Sequence, residues 1–135
     1  MTPHEAFDSM RDQWLTGPGA LSGAGLADDV VVEWPFAAPG RPRRIEGREP
    51  FLAFAGPERA ALPLRIDACD VRTVHDTTDP ATIVVEYSLT ATALATGRRA
   101  TADFITVLTV HDGKVTHLRE YQDTMKMTAA LSPNG

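Results

Sequence analysis

A chain of 135 residues is sized for one domain and can bury about two-thirds of the surface its unfolded form exposes. A lone cysteine, Cys69, excludes an intramolecular disulfide, and no apolar run approaches the ~20 residues that a membrane helix requires. The net charge of −5 argues against nucleic acid, and the first residues lack the basic-then-apolar pattern of a secretion signal, so a reducing, cytoplasmic setting is expected.

In chain order, residues 3 to 16 read as a helix. Phe7, Met10 and Trp14 fall on one face, Thr2 can cap, and Pro3 suits the first turn. Glycines at 17, 19, 23 and 25 then allow at most a short, weak helix, and a phosphate-cradling loop is rejected because no strand precedes them. Val30 to Phe36 is a β-branched strand stopped by Pro35. Arg41, Arg43, Arg44 and Arg48, set among Pro39, Gly40 and Pro42, read as a solvated loop. Residues 49 to 61 read as a second helix, with Phe51, Leu52, Phe54 and Ala55 on its buried side and Pro57 breaking or kinking it.

After Pro63 the period changes to that of strands: 64 to 75, 82 to 95, 99 to 111 and 114 to 123, punctuated at Asp76-Asp79-Pro80, Gly97 and Asp112-Gly113. The last pair suits a type I′ hairpin. Strict alternation beyond it places Val115, His117, Arg119, Tyr121 and Asp123 on one face and Thr116, Leu118, Glu120 and Gln122 on the other. Helices followed by a meander give an α+β class: N-terminal helices packed in a strongly curved, mostly antiparallel sheet. One domain over 1–131 and a disordered tail over 132–135 are expected.

The N-terminal helix with tryptophan, Leu26-Ala-Asp-Asp-Val-Val-Val-Glu-Trp-Pro35, Ile45-Glu-Gly-Arg-Glu49 before a helix, and Asp112-Gly-Lys-Val-Thr-His-Leu-Arg-Glu-Tyr-Gln-Asp123 together resemble the SnoaL-like branch of the nuclear transport factor 2-like superfamily. The resemblance implies a cone-shaped α+β barrel around an apolar pocket, and a homodimer. The fold hosts several chemistries, so activity depends on which residues carry over. In limonene-epoxide hydrolase-like members an acid follows an arginine on the last strand, where this chain has Glu120, but the required Arg-x-Asp pair falls on Tyr87 and Leu89. Ketosteroid isomerases need a carboxylate base and a protonated aspartic acid at the enolate oxygen, and here the base falls on Trp34 and the oxyanion acid near Thr106. The first reading lacks its Arg-x-Asp pair, and the second loses both carboxylates. In SnoaL-like cyclases an acid transfers the proton of an aldol ring closure without metal or nucleotide, and Glu120 is the nearest match.

Glu120 is therefore the expected general base, on an inner face shared with Leu118 and Gln122, and burial would raise its pKa toward neutrality. The competing expectation is an internal ion pair with Arg65, Arg72 or Arg98. Trp14, Trp34, Phe36, Phe51, Phe54, Tyr87 and Phe104 can line an aromatic pocket or fill a core. Trp14, Trp34, Phe54, Tyr87, Leu89, Phe104, Thr106, Leu118 and Gln122 form the expected substrate-binding set. Asp103 faces outward by parity, toward a dimer partner or an arginine. His4, His75, His111 and His117 are read as lone surface histidines without metal-site spacing, and Cys69 lacks an activating base. No cofactor or metal is expected; the partner is a small apolar or aromatic metabolite, in an isomerase or cyclase or in a non-catalytic binding protein of the same fold.

Overall fold

The computed structural model describes residues 1–16 and 23–131, so the glycine-rich segment's start and the tail at 132–135 lie outside the described residues. Helix α1 (Pro3–Leu15) begins as the sequence dictates. Thr2 accepts from the Glu5 backbone N–H at 3.1 Å while the Glu5 carboxylate accepts from the Thr2 N–H at 3.0 Å, a reciprocal capping box with Pro3 in the first turn. Strand β1 (Leu26–Glu33) starts four residues before the expected one, and β2 (Arg44–Glu46) is too short for periodicity to reveal. Helix α2 (Arg48–Ala60) runs through Pro57. The proline does not break it, because only the final turn follows and the missing N–H costs a single ladder bond there. Gly47 caps α2 at φ +100°, a region open to glycine alone.

Strands β3 (Leu64–Asp76), β4 (Thr82–Ala93), β5 (Arg99–His111) and β6 (Lys114–Gln122) form the expected meander. Asp112 (φ 51°) and Gly113 (φ 74°) make the predicted tight turn between β5 and β6. A helix α3 (Thr124–Leu131) follows, beyond the elements that periodicity predicts. The sheet order is β2-β1-β6-β5-β4-β3, antiparallel except for the parallel β1–β6 pair. It is not closed: β2 and β3 are its edges, so the expected barrel is an open curved sheet whose cone is completed by helices. α1 lies on the inner face, where Phe7 meets Tyr87 edge-on at 5.2 Å.

Alternation decides the core. On β5, Ala102, Phe104, Thr106, Leu108 and Val110 are buried and face inward, as parity predicts. On β6 strict alternation fails once. The register slips between Thr109↔His117 and Val110↔Val115, so Thr116 is the extra residue of a bulge. Val115 is consequently buried on the same side as Leu118, and its expected place beside His117 is wrong.

Candidate functional site

The inner face and the helices enclose a cavity of about 710 Å³. Its floor comes from the paired strands: Leu89 beside Ala102 on β4 and β5, Phe104 beside Gln122 on β5 and β6, and Leu118 further along β6 opposite Leu108. Met10 and Trp14 of α1, Phe51 and Phe54 of α2, and Met127 of α3 form the opposite wall. Trp34 does not plug the space. Its ring turns toward α2, 6.2 Å from Phe51 and 5.8 Å from Phe54.

Glu120 is the acid on the strand floor of this cavity, directly across the ladder from Thr106. Two residues along the same strand, Gln122 donates its amide N–H to the Glu120 carboxylate. Burial pushes the Glu120 carboxyl above its ordinary range, and the Gln122 hydrogen bond pulls the other way without reversing the shift. Glu120 retains some accessible surface, and that surface opens on the cavity. The three arginines considered as its ion-pair partners do not pair with it among the described residues. Arg65 binds Asp67 at 2.8 Å. Arg72 lies on the outer face of the sheet, 2.9 Å from Ser88 and 4.0 Å from Asp103. Arg98 lines the cavity at the far end of the floor, just before β5.

Trp14, Trp34, Phe54, Leu89, Phe104, Leu118 and Gln122 line the same cavity as Glu120. Tyr87 and Thr106 are not on its wall. They lie behind it at 2% and 0% exposure, with Tyr87 Oη and Thr106 Oγ1 2.8 Å apart. Tyr87 also stacks on Phe104 at 5.5 Å and 11°. Burial, and next the nearby Glu120 charge, push the Tyr87 phenol strongly upward, so it stays protonated. Asp103 faces outward as expected, accepting from Ser88 at 2.7 Å and approached by Lys126 at 3.7 Å. Cys69 is buried with its thiol pushed up, the opposite of a nucleophile.

The histidines are not isolated. His117 contacts Glu33, His75 lies 2.6 Å from Glu86 and His4 lies 3.0 Å from Asp76. Glu33 itself faces outward, toward His117, Arg119 and Arg44, and the His117 hydrogen bond chiefly lowers its pKa. Among the described residues no group of His, Cys, Asp and Glu could hold a metal ion. No helix among them is long and apolar enough to cross a membrane.

Two parts of the rim escape sequence reasoning. Arg41, assigned to a solvated loop, forms a two-pronged pair with Glu58 at 3.0 Å on each arm and lies 5.4 Å over the Phe54 ring. Arg44 and Arg48 are likewise paired, with Glu46 and Asp28. Helix α3 supplies Met127 and Thr128 to the wall. Its signal is Asp123, which accepts from the Lys126 N–H at 3.1 Å as a cap.

A sequence model of the family described as SnoaL-like domain matches residues 10–118. The chain is 31% identical over 101 residues to an uncharacterised PhzA/B-like protein, PA3332, of Pseudomonas aeruginosa, covering 75% of this chain and 70% of that one. A crystal structure from Bacillus subtilis, provisionally described as an isomerase, superposes with TM-score 0.83 at 21% identity over 95% of this chain and 91% of the other. Another, from Pseudomonas putida KT2440 and provisionally described as a polyketide cyclase, superposes with TM-score 0.73 at 19% identity over 98% and 99%. These likenesses establish the fold.

Proposed function

From the premise that this chain belongs to the SnoaL-like domain family, we propose that it is a cofactor-independent isomerase or cyclase acting on a small apolar or aromatic ketone. The observation that carries this reading is Glu120: a carboxyl on the wall of a large apolar cavity, with an amide donor for company and no ion-pair partner among the described residues. In the reaction the Glu120 carboxylate takes a proton from the carbon next to a bound carbonyl, leaving an enolate. Where a neighbouring C=C extends it to a dienolate, it regains the proton from Glu120 at the far carbon as the double bond shifts; otherwise it attacks a second carbonyl of the same molecule, and Glu120 returns the proton to the new alkoxide. Burial tunes the acid toward the neutral range that such two-way transfer needs. The descriptions of the solved relatives as an isomerase and a polyketide cyclase are in keeping with this chemistry.

The test is deuterium exchange beside the carbonyl of 2-tetralone in heavy water, followed by NMR. Wild-type protein should accelerate exchange, and Glu120→Gln should slow it by about 10²-fold or more, the usual contribution of a positioned base. Accelerated exchange at the wild-type rate in Glu120→Gln would remove Glu120 from the mechanism, and exchange at the buffer rate in both proteins leaves a non-catalytic binding protein instead.

The same reading includes a homodimer formed through the outer sheet face. There Ile105 is 40% exposed and Phe36 is 62% exposed beside Tyr121, its ring 5.4 Å away.

A further inference from the structure

The cavity has a second polar end. The turn between β4 and β5 is held tightly: Gly97 donates to the Ala93 carbonyl at 2.8 Å, Ala93 to the Arg98 carbonyl at 2.8 Å, and the Arg98 N–H to Thr96 Oγ1 at 3.2 Å. Gly97 supplies the positive φ, +73°, that the turn requires. The Arg98 backbone is thereby held at the rim, and its exposed side chain lines the cavity mouth.

Other cavity-lining arginines are engaged: Arg41 by Glu58, Arg65 by Asp67, and Arg59 by the Gln13 carbonyl. Among the described residues, Arg98 has no acidic partner within 4.0 Å. Between it and Glu120 the inward side chains shrink. Tyr87 pairs with Phe104 at the deep end, Leu89 with Ala102 next, and Ala91 with Ala100 toward Arg98. Shrinking side chains hollow the floor into an apolar shelf. From Ala100 to Thr106, the residue opposite Glu120, the strand rises roughly 20 Å at ~3.3 Å per residue.

We infer that the cavity takes an elongated apolar substrate carrying a carboxylate, with the anionic end on Arg98, the apolar body over the alanine shelf and the reacting carbonyl at Glu120. The carbonyl end rests on the reading proposed above; the anion end does not. Orientation follows from charge, because the reversed pose would press a carboxylate against Glu120 while leaving Arg98 unanswered.

The experiment compares two fluorescent probes with one planar body, 1-pyrenebutyric acid and the neutral 1-pyrenebutanol, titrated into wild type, Arg98→Gln, Arg98→Lys and Glu120→Gln. Wild type should bind the acid more tightly than the alcohol by up to about fivefold, the size of discrimination that one exposed charge contact supplies. That preference should vanish in Arg98→Gln, persist in Arg98→Lys and persist in Glu120→Gln, with alcohol affinity similar throughout. Equal affinities in wild type, a preference retained in Arg98→Gln, or no binding of either probe would each overturn the inference. Absence of proton exchange in the wild type would instead remove the proposed reaction and leave the probe result standing.

Discussion

Gln122 donates its side-chain amide to the Glu120 carboxylate from the same inner face of β6. The pair follows from strand geometry, since side chains at i and i+2 stand side by side on one face of a pleated sheet. The cavity acid thus has a hydrogen-bond donor and no cationic partner among the described residues.

Glu120→Gln should make stability less dependent on pH. Burial raises the folded pKa of Glu120 above its ordinary 4.5. Between the unfolded and folded values the native state holds a proton that the unfolded state has released, so wild-type stability falls as pH rises through that window. The loss is complete above the folded value. Urea unfolding of the two proteins should give similar midpoints at about pH 4 and a growing advantage for Glu120→Gln above it. A difference that does not vary with pH would place Glu120 in an environment indifferent to its charge.

Gln122→Met removes the hydrogen bond that favours the Glu120 carboxylate. Its folded pKa should rise further, and the acidic limb of the 2-tetralone exchange profile should move to higher pH. An unmoved limb would mean that the amide does not reach the carboxylate in solution.

Tyr87→Phe should cost stability without costing chemistry. The change leaves the Thr106 hydroxyl, 0% exposed, without its partner 2.8 Å away. Stranding a buried hydroxyl costs ~1–3 kcal/mol. Exchange rates should stay within about twofold, because neither hydroxyl is on the cavity wall. A variant of unchanged stability with sharply reduced exchange would bring Tyr87 into the reaction.

Gly47→Ala should destabilise by ~1–3 kcal/mol in denaturant, because φ +100° at the cap of α2 is a glycine conformation. An added Cβ would also approach Pro50 Cδ at 3.2 Å. A neutral result would show that the helix start can shift.

Ile105→Lys should convert the proposed homodimer to monomer in sedimentation at micromolar concentration, by putting a charge on the outer face where Ile105 is 40% exposed. Wild type sedimenting as a monomer would remove the dimer outright.

Much of the fold is legible in the sequence because its signals are local. Thr2, Pro3 and Glu5 specify a helix start within a few bonds, Asp112-Gly113 specifies one turn, and the inward set on β5 follows from a period of two. The expectations that fail depend on context. Pro57 sits in a helix because only its last turn follows, and α3 has a cap at Asp123 but only a short run of turns to announce it. Val115 departs from its expected face because a bulge at Thr116 shifts parity by one, and whether a strand bulges is decided by its neighbour's register.

The sequence by itself determined the α+β order, the inward face of β5 and the sharing of one face by Leu118, Glu120 and Gln122, since backbone geometry fixes these within a single strand. Only the tertiary structure decided that the sheet stays open with β1 parallel to β6, that Tyr87 and Thr106 lie behind the cavity, and that Arg65 and Arg72 are engaged elsewhere. Those outcomes are long-range. Which charge meets which carboxyl depends on how strands distant in sequence are registered, and no local preference of the chain encodes that distance.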